Sequence, residues 1–219
     1  MNLDKQRKTL ITSAFWAVLL LVMCYISVSK DLISGYELNT CLFCAAFCFV
    51  PYLFYRFRVL KLPIGFMVLI HLAIFLHATG VLFFAYDFIQ IYDNVTHTFS
   101  SIVVSACVIL TLFTLQRYNS DIHMSQKFCS VLTLLIMASF GIIWEEFEYI
   151  IDLTYGTKMQ YCPWDTVRDM ICNTLGSVIC SVGMYLYMRD RSVEEFIDSI
   201  ELHPFLRSFL KEKLTHEKH

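Results

Sequence analysis

An all-α fold, a polytopic transmembrane helix bundle of about six spans with both termini in the cytoplasm, is what three features of this chain predict. Of its 219 residues 57% are hydrophobic and only 16% charged, and the mean hydropathy is +0.58. The apolar residues come in long runs, several reaching the roughly 20 residues a helix needs to cross the hydrocarbon core of a bilayer. Basic residues gather in alternate connections between those runs. Such a composition belongs to integral membrane proteins, and the length suits one small bundle. No basic cluster with interleaved aromatics points to a nucleic-acid partner.

The first run, 10–28 (LITSAFWAVLLLVMCYISV), is long and lacks a small-residue cleavage site, so it reads as a retained span, not a signal peptide. The second, 38–56, contains Pro51, which kinks its end without ending membrane residence, because neighbours satisfy the freed backbone groups. Spans follow at 62–86, 94–116, 127–151 and 167–188. The last is the weakest, since Arg168, Asp169 and Asn173 occupy its first half, and five spans is the rival count. Residues 1–188 thus form a single six-helix domain, followed by a cytoplasmic amphipathic tail, 189–219. In that tail Val193, Phe196, Ile197 and Ile200 recur at helical spacing, break near Pro204 and resume with Phe205, Leu206, Phe209 and Leu210. Such a segment packs under the bundle, helps a homo-oligomer form, or lies in the inner lipid interface.

Charge placement orients the bundle. Lys5, Arg7 and Lys8, then Arg56, Arg58 and Lys61, then Arg117 and Lys127, and finally the tail all fall on one side, leaving Lys30, Lys158 and Arg168 on the other. The positive-inside rule makes the richer side, with both termini, cytoplasmic in a multi-pass chain in contact with lipid. Deleting one span would move a basic group to the wrong face, which favours six. Eight of the nine cysteines lie in or beside apolar runs, where thiols behave as small hydrophobes; CLFCAAFC (41–48) is therefore packing, and no disulfide is expected.

With that orientation, the polar intramembrane residues collect in the outer half. His77 lies towards the end of the third span, Asp93 and His97 begin the fourth, WEEFEYIID (144–152) closes the fifth, and Asp165, Asp169 and Asn173 open the sixth. Spacings of three and four keep Asp93 with His97, Glu145 with Glu148, and Asp165 with Asp169 and Asn173, each set on one helix face; Glu146 points elsewhere. Ionisable groups in a bilayer are costly unless they meet partners or water. Crowded carboxylates repel one another unless a cation or protons neutralise them. The oxygen-rich set Glu145, Glu148, Asp165, Asp169 and His97, with His77, suits a divalent cation such as magnesium, manganese, calcium or zinc. Asp93 and Asn173 join it as a polar network.

Blander readings exist for several of these positions. Asp93 and Asp165 suit helix N-caps, TVRD (166–169) has the spacing of a capping box, and Asn173 suits a hydrogen bond between helices. Ser101, Ser105, Gly176 and Ser177 suit close helix packing, and Trp144 with its neighbouring tyrosines an aromatic belt. Neither capping nor ordinary packing explains Glu145 and Glu148 together.

The set HATG, YDNVTHTFSS, WEEFEYIID and DTVRDMICNTLG, over residues 60–188, resembles the YjdF-like family of small prokaryotic inner-membrane proteins. It is more remotely similar to VanZ-like membrane proteins, but has Glu145 and Glu148 where those carry a Glu/Gln pairing. The first resemblance implies cytoplasmic-membrane residence and supplies no reaction. The residues themselves suggest a metal-dependent hydrolase or transferase acting on a lipid or lipid-linked substrate, with Glu145, Asp169 and His97 as catalytic groups. An ion- or proton-coupled transporter and a non-catalytic lipid-binding or assembly protein are the alternatives.

Overall fold

The computed structural model describes residues 3–33, 35–57, 62, 64–119, 121–160, 162–200 and 208. These form α1 (Leu3–Ser29), α2 (Gly35–Phe47), α3 (Val50–Arg56), α4 (Ile64–Leu82), α5 (Ala85–Phe88), α6 (Gln90–Tyr118), α7 (Gln126–Tyr155), α8 (Pro163–Tyr187) and α9 (Val193–Ser199), with no strand among the described residues. Among the described residues six segments are long and apolar enough to cross a membrane: Asp4–Ser29, Gly35–Arg56, Ile64–Leu82, Ile91–Tyr118, Gln126–Tyr155 and Pro163–Tyr187. The protein is an all-α, polytopic membrane protein. Its chain divides into two compact units, residues 1–89 with 194–219, and residues 90–193.

In the first unit α1, α2 and α4 pack through small side chains, with Ala17, Leu20, Cys24, Cys41, Cys44, Ala45, Cys48 and Ala78 in one buried apolar cluster. Small residues let helix backbones approach where lipid supplies no hydrophobic drive for association. The second span is split. Its first half ends at Phe47, four residues before Pro51, as expected of a ring that clashes with the carbonyl at i−4 and brings no N–H. At the break, the two ring nitrogens of His71 face the carbonyls of Cys48 (3.0 Å) and Met67 (2.6 Å), and the imidazole stacks on Trp16. The third span stops at Leu82, short of the expected 86, because Phe84 takes a left-handed conformation (φ 55°) before the single turn of α5. Ile197 and Ile200 of the tail are buried, while Pro204, Phe205, Leu206, Phe209 and Leu210 lie outside the described residues.

The second unit is a three-helix bundle. Its α6 and α8 run parallel, as Asp93 beside Arg168 at one level and Ser101 beside Gly176 at another require, and α7 runs against α8, with Gly141 beside Asn173 at one level and Gln126 donating to the Met188 carbonyl (3.1 Å) at another. Along α7 the buried stripe is Cys129, Thr133, Met137, Gly141, Glu145 and Glu148, while Ile142, Ile143, Phe147 and Ile150 are exposed. Along α8 the buried stripe is Asp165, Asp169, Cys172, Asn173, Gly176, Ser177 and Ser181. Polar and small side chains therefore face inward and large apolar ones outward, the arrangement lipid as solvent favours.

Gly176 sets how closely α8 approaches α6. A Cβ there would overlap the Thr98 carbonyl oxygen and stand 2.9 Å from Ser101 Cβ. Gly176→Ala is therefore expected to destabilise the bundle by about 1–3 kcal/mol, the usual cost of overpacking. Gly183→Ala, at a position with nothing within 4 Å, serves as control. Thermal unfolding in detergent separates them, and equal melting temperatures would show that this contact does not limit helix approach.

Candidate metal centre

Asp93 and His97 are contributed by α6, Glu145 and Glu148 by α7, and Asp165, Asp169 and Asn173 by α8, so the second unit alone brings these side chains together. Helical phase separates the glutamates as their spacing predicts: Glu145 and Glu148 are buried and Glu146 is exposed. His97 stands at the centre. Its Nε2 is 3.3 Å from Asp93 Oδ1 and 4.0 Å from both Glu148 Oε1 and Asp169 Oδ2. Its Nδ1 lies 3.3 Å from Asn173 Oδ1, which also accepts from the Ser101 hydroxyl at 2.7 Å. A proton on Nδ1, donated to Asn173, leaves the Nε2 lone pair directed among three carboxylates. That is how an outer hydrogen bond prepares an imidazole as a metal ligand.

Two groups of donors result, Asp93–His97–Asp169 and His97–Glu145–Glu148, and within each the ligand atoms lie within 4.8 Å of one another. Donors that share one small divalent cation at about 2.0–2.1 Å stand roughly 3–4 Å apart, so contacts of 3.3 and 4.0 Å need only modest contraction. Glu145 Oε1 and Asp169 Oδ1 are buried without a hydrogen-bond partner among the described residues. A buried carboxylate oxygen without a partner is costly. A cation placed between them would supply what these two lack. The described residues thus contain a buried His/Asp/Glu cluster able to coordinate a metal ion.

Surrounding groups hold the carboxylates in place. Trp144 Nε1 donates to Glu148 Oε1 (2.7 Å), and Gln160 Nε2 donates to the Glu145 carbonyl (2.9 Å) and to Glu145 Oε2 (3.3 Å). Gln160 reaches that position because Asp152 ties down the loop after α7, accepting from Thr157 Oγ1 (2.6 Å), Met159 N (2.8 Å) and Gln160 N (3.0 Å). The α7 helix itself ends on Gly156, whose left-handed conformation (φ 67°) closes the last turn.

Asp165 and His77 belong to neither donor group. Asp165 is buried and paired with Arg168, whose Nη2 is also 4.0 Å from Asp93 Oδ2. His77 belongs to the other unit, where its Nδ1 lies 3.1 Å from the Tyr86 hydroxyl. The capping expectations are corrected. Because α6 starts at Gln90 and α8 at Pro163 with Cys162 as N-cap, Asp93, Asp165, Thr166 and Asp169 are all inside their helices. Ser101, Trp144 and Gln160 act here as orienting groups, whereas the sequence suggests packing for the first, an interfacial belt for the second and no role for the third. Only the Trp144–Glu148 pair, four apart on one helix, carried a visible signal.

A family model described as "Predicted membrane protein (DUF2238)" matches residues 11–190. The chain belongs to that family. The DUF2238 match runs through all three helices of the cluster. No curated protein and no solved structure matches the chain.

Asn173→Leu removes the acceptor shared by His97 and Ser101 while keeping side-chain volume. Manganese affinity of this DUF2238 protein, measured by calorimetry, is expected to fall about 10–100-fold, the usual loss when a ligand's outer hydrogen bond is removed. Ser139→Ala, at an exposed hydroxyl bonded only to Leu135 O, is expected to leave it unchanged. An Asn173→Leu protein that binds like wild type would show that the amide does not orient His97.

Proposed function

We propose that this protein is a divalent-metal-dependent hydrolase or transferase acting on a lipid or lipid-linked headgroup in the outer leaflet half of the cytoplasmic membrane. The observation that carries the reading is His97 Nε2 held among Asp93, Glu148 and Asp169 while Nδ1 is tied to Asn173. In this reading Asp93, His97, Glu145, Glu148 and Asp169 hold the cation, which polarises an oxygen of the substrate and lowers the pKa of a bound water. Whichever of Glu145 and Asp169 keeps an uncoordinated oxygen handles the proton.

A phosphoryl centre fits better than a carbonyl one. Arg168 sits beside the cluster with its side chain 44% exposed, and Asp165 and Asp93 on one side of its guanidinium hold it there. A fixed guanidinium with donors still facing outward favours a planar pair of phosphate oxygens. Seated near the first turn of the last span, it meets headgroups that arrive laterally from lipid. The order of His97, Glu145, Glu148, Asp165, Asp169, Asn173 and Gly176 keeps the YjdF-like comparison in play, as membership within an inner-membrane group.

One observation favours transport as a second reading. Ser105, Ser177 and Ser181 are buried with hydroxyls that find no partner among the described residues, and they continue along α6 and α8 from Asn173 away from the acidic cluster. Polar positions extending towards the other membrane face are what a cation or proton path needs.

Metal analysis of the detergent-purified protein tests the first reading. At least one divalent cation per chain is expected in wild type and in Glu146→Ala, with near-complete loss in Glu145→Ala and Glu148→Ala variants that keep a cooperative unfolding transition. Metal-loaded wild type is also expected to release phosphate from a membrane lipid extract, and the same variants are not. Absence of stoichiometric metal in wild type, with all variants folded, would sink the proposal; metal-dependent cation uptake into proteoliposomes without phosphate release would favour transport instead.

A further inference from the structure

We infer that the cluster is built for two divalent cations side by side, not one. This rests on the metal-binding reading above and goes beyond it in stoichiometry and reaction class. Each donor group has two carboxylates of its own, Asp93 with Asp169 and Glu145 with Glu148, and only His97 is common to both. Each group also contains one buried carboxylate oxygen without a partner, Asp169 Oδ1 in the first and Glu145 Oε1 in the second. Asp169 and Glu145 are 2% and 5% exposed, so water from the bulk does not satisfy them.

Charge points the same way. A single divalent cation balances two of these four carboxylates and leaves the other two to take up protons or to stay charged at a cost of several kcal/mol each. Arg168 supplies at most part of the difference, because it is partly exposed, engaged at short range with Asp165, a fifth carboxylate, and only 4.0 Å from Asp93. Two divalent cations balance the four carboxylates of the two groups.

The shared imidazole assigns the ligands. Nε2 has one lone pair and serves one cation, and its shortest contact is with Asp93 at 3.3 Å. The first cation is therefore held by Asp93, His97 and Asp169. The second is held by Glu145 and Glu148, which Gln160 and Trp144 orient from outside, and its remaining positions are left to water or substrate oxygens. Magnesium and manganese are commonly bound in this way, through one or two carboxylates with phosphate and water completing the shell. Paired cations about 3.5–4 Å apart stabilise both the attacking and the leaving oxygen of an in-line displacement at phosphorus. Together with the Arg168 guanidinium beside the cluster, the arrangement narrows the substrate class to phosphate esters.

Manganese titration of the purified wild-type protein, read by metal analysis and by electron paramagnetic resonance, decides this. Two manganese ions per chain are expected at saturation, with the exchange-coupled spectrum of a pair, reduced to one uncoupled ion in the Glu145→Gln/Glu148→Gln double variant. Saturation of wild type at one ion would overturn the two-cation inference and leave the metal site standing. Two ions without coupling would also overturn it, since they would not share a centre. No bound manganese, together with no other divalent metal, would overturn the metal reading itself.

Discussion

The contact between His97 and Asn173 ties the chemistry of the second unit to its packing. For the imidazole to reach the amide, α6 and α8 must approach more closely than side chains ordinarily allow, and Gly176 against the Thr98 carbonyl permits it. Once the helices are at that distance, Ser101 and His97 meet the same amide oxygen, and the ring is fixed with its other nitrogen among the carboxylates. Gly141 does the same from α7, its missing side chain leaving room for the Asn173 amide. The polar cluster and the small residues beneath it are thus parts of one packing solution.

Lipid as solvent explains why this solution is confined to the interior of three helices. A carboxylate facing acyl chains has neither water nor a partner, and the stripes on α7 and α8 that carry Glu145, Glu148, Asp165, Asp169 and Asn173 are buried while the opposite faces are Ile-, Leu- and Phe-rich. Hydrogen bonds from Trp144 and Gln160 meet part of the demand of the glutamates, and Arg168 meets that of Asp165. What these donors do not reach are Glu145 Oε1 and Asp169 Oδ1. At both, the same accounting that keeps charges out of hydrocarbon calls for a cation or a proton.

Much of this was legible in the sequence because helices repeat every 3.6 residues and membranes impose their own length. Six apolar runs mark the six spans, and steps of three and four place Glu145 and Glu148 on a different helix face from Glu146. Helix ends were less legible. Asp93 and Asp165 look like caps when the helices are started at the first apolar residue, yet α6 begins at Gln90, and α8 begins at Pro163, where proline in a first turn costs no hydrogen bond. Long-range placement was not legible at all. Nothing in the spacing assigns His77 and His97 to different units, and nothing in YGTKMQYC announces that Asp152 folds the loop so that Gln160 returns to Glu145.

The central claim is that His97, oriented by Asn173, is a metal ligand. X-ray absorption at the zinc edge of the zinc-loaded protein tests it most directly. Wild type is predicted to show a first shell of light oxygen and nitrogen donors with the outer-shell scattering of one imidazole, and His97→Gln to lose that scattering while retaining the carboxylate oxygens. A wild-type spectrum without imidazole scattering, or one unchanged by His97→Gln, would contradict the account.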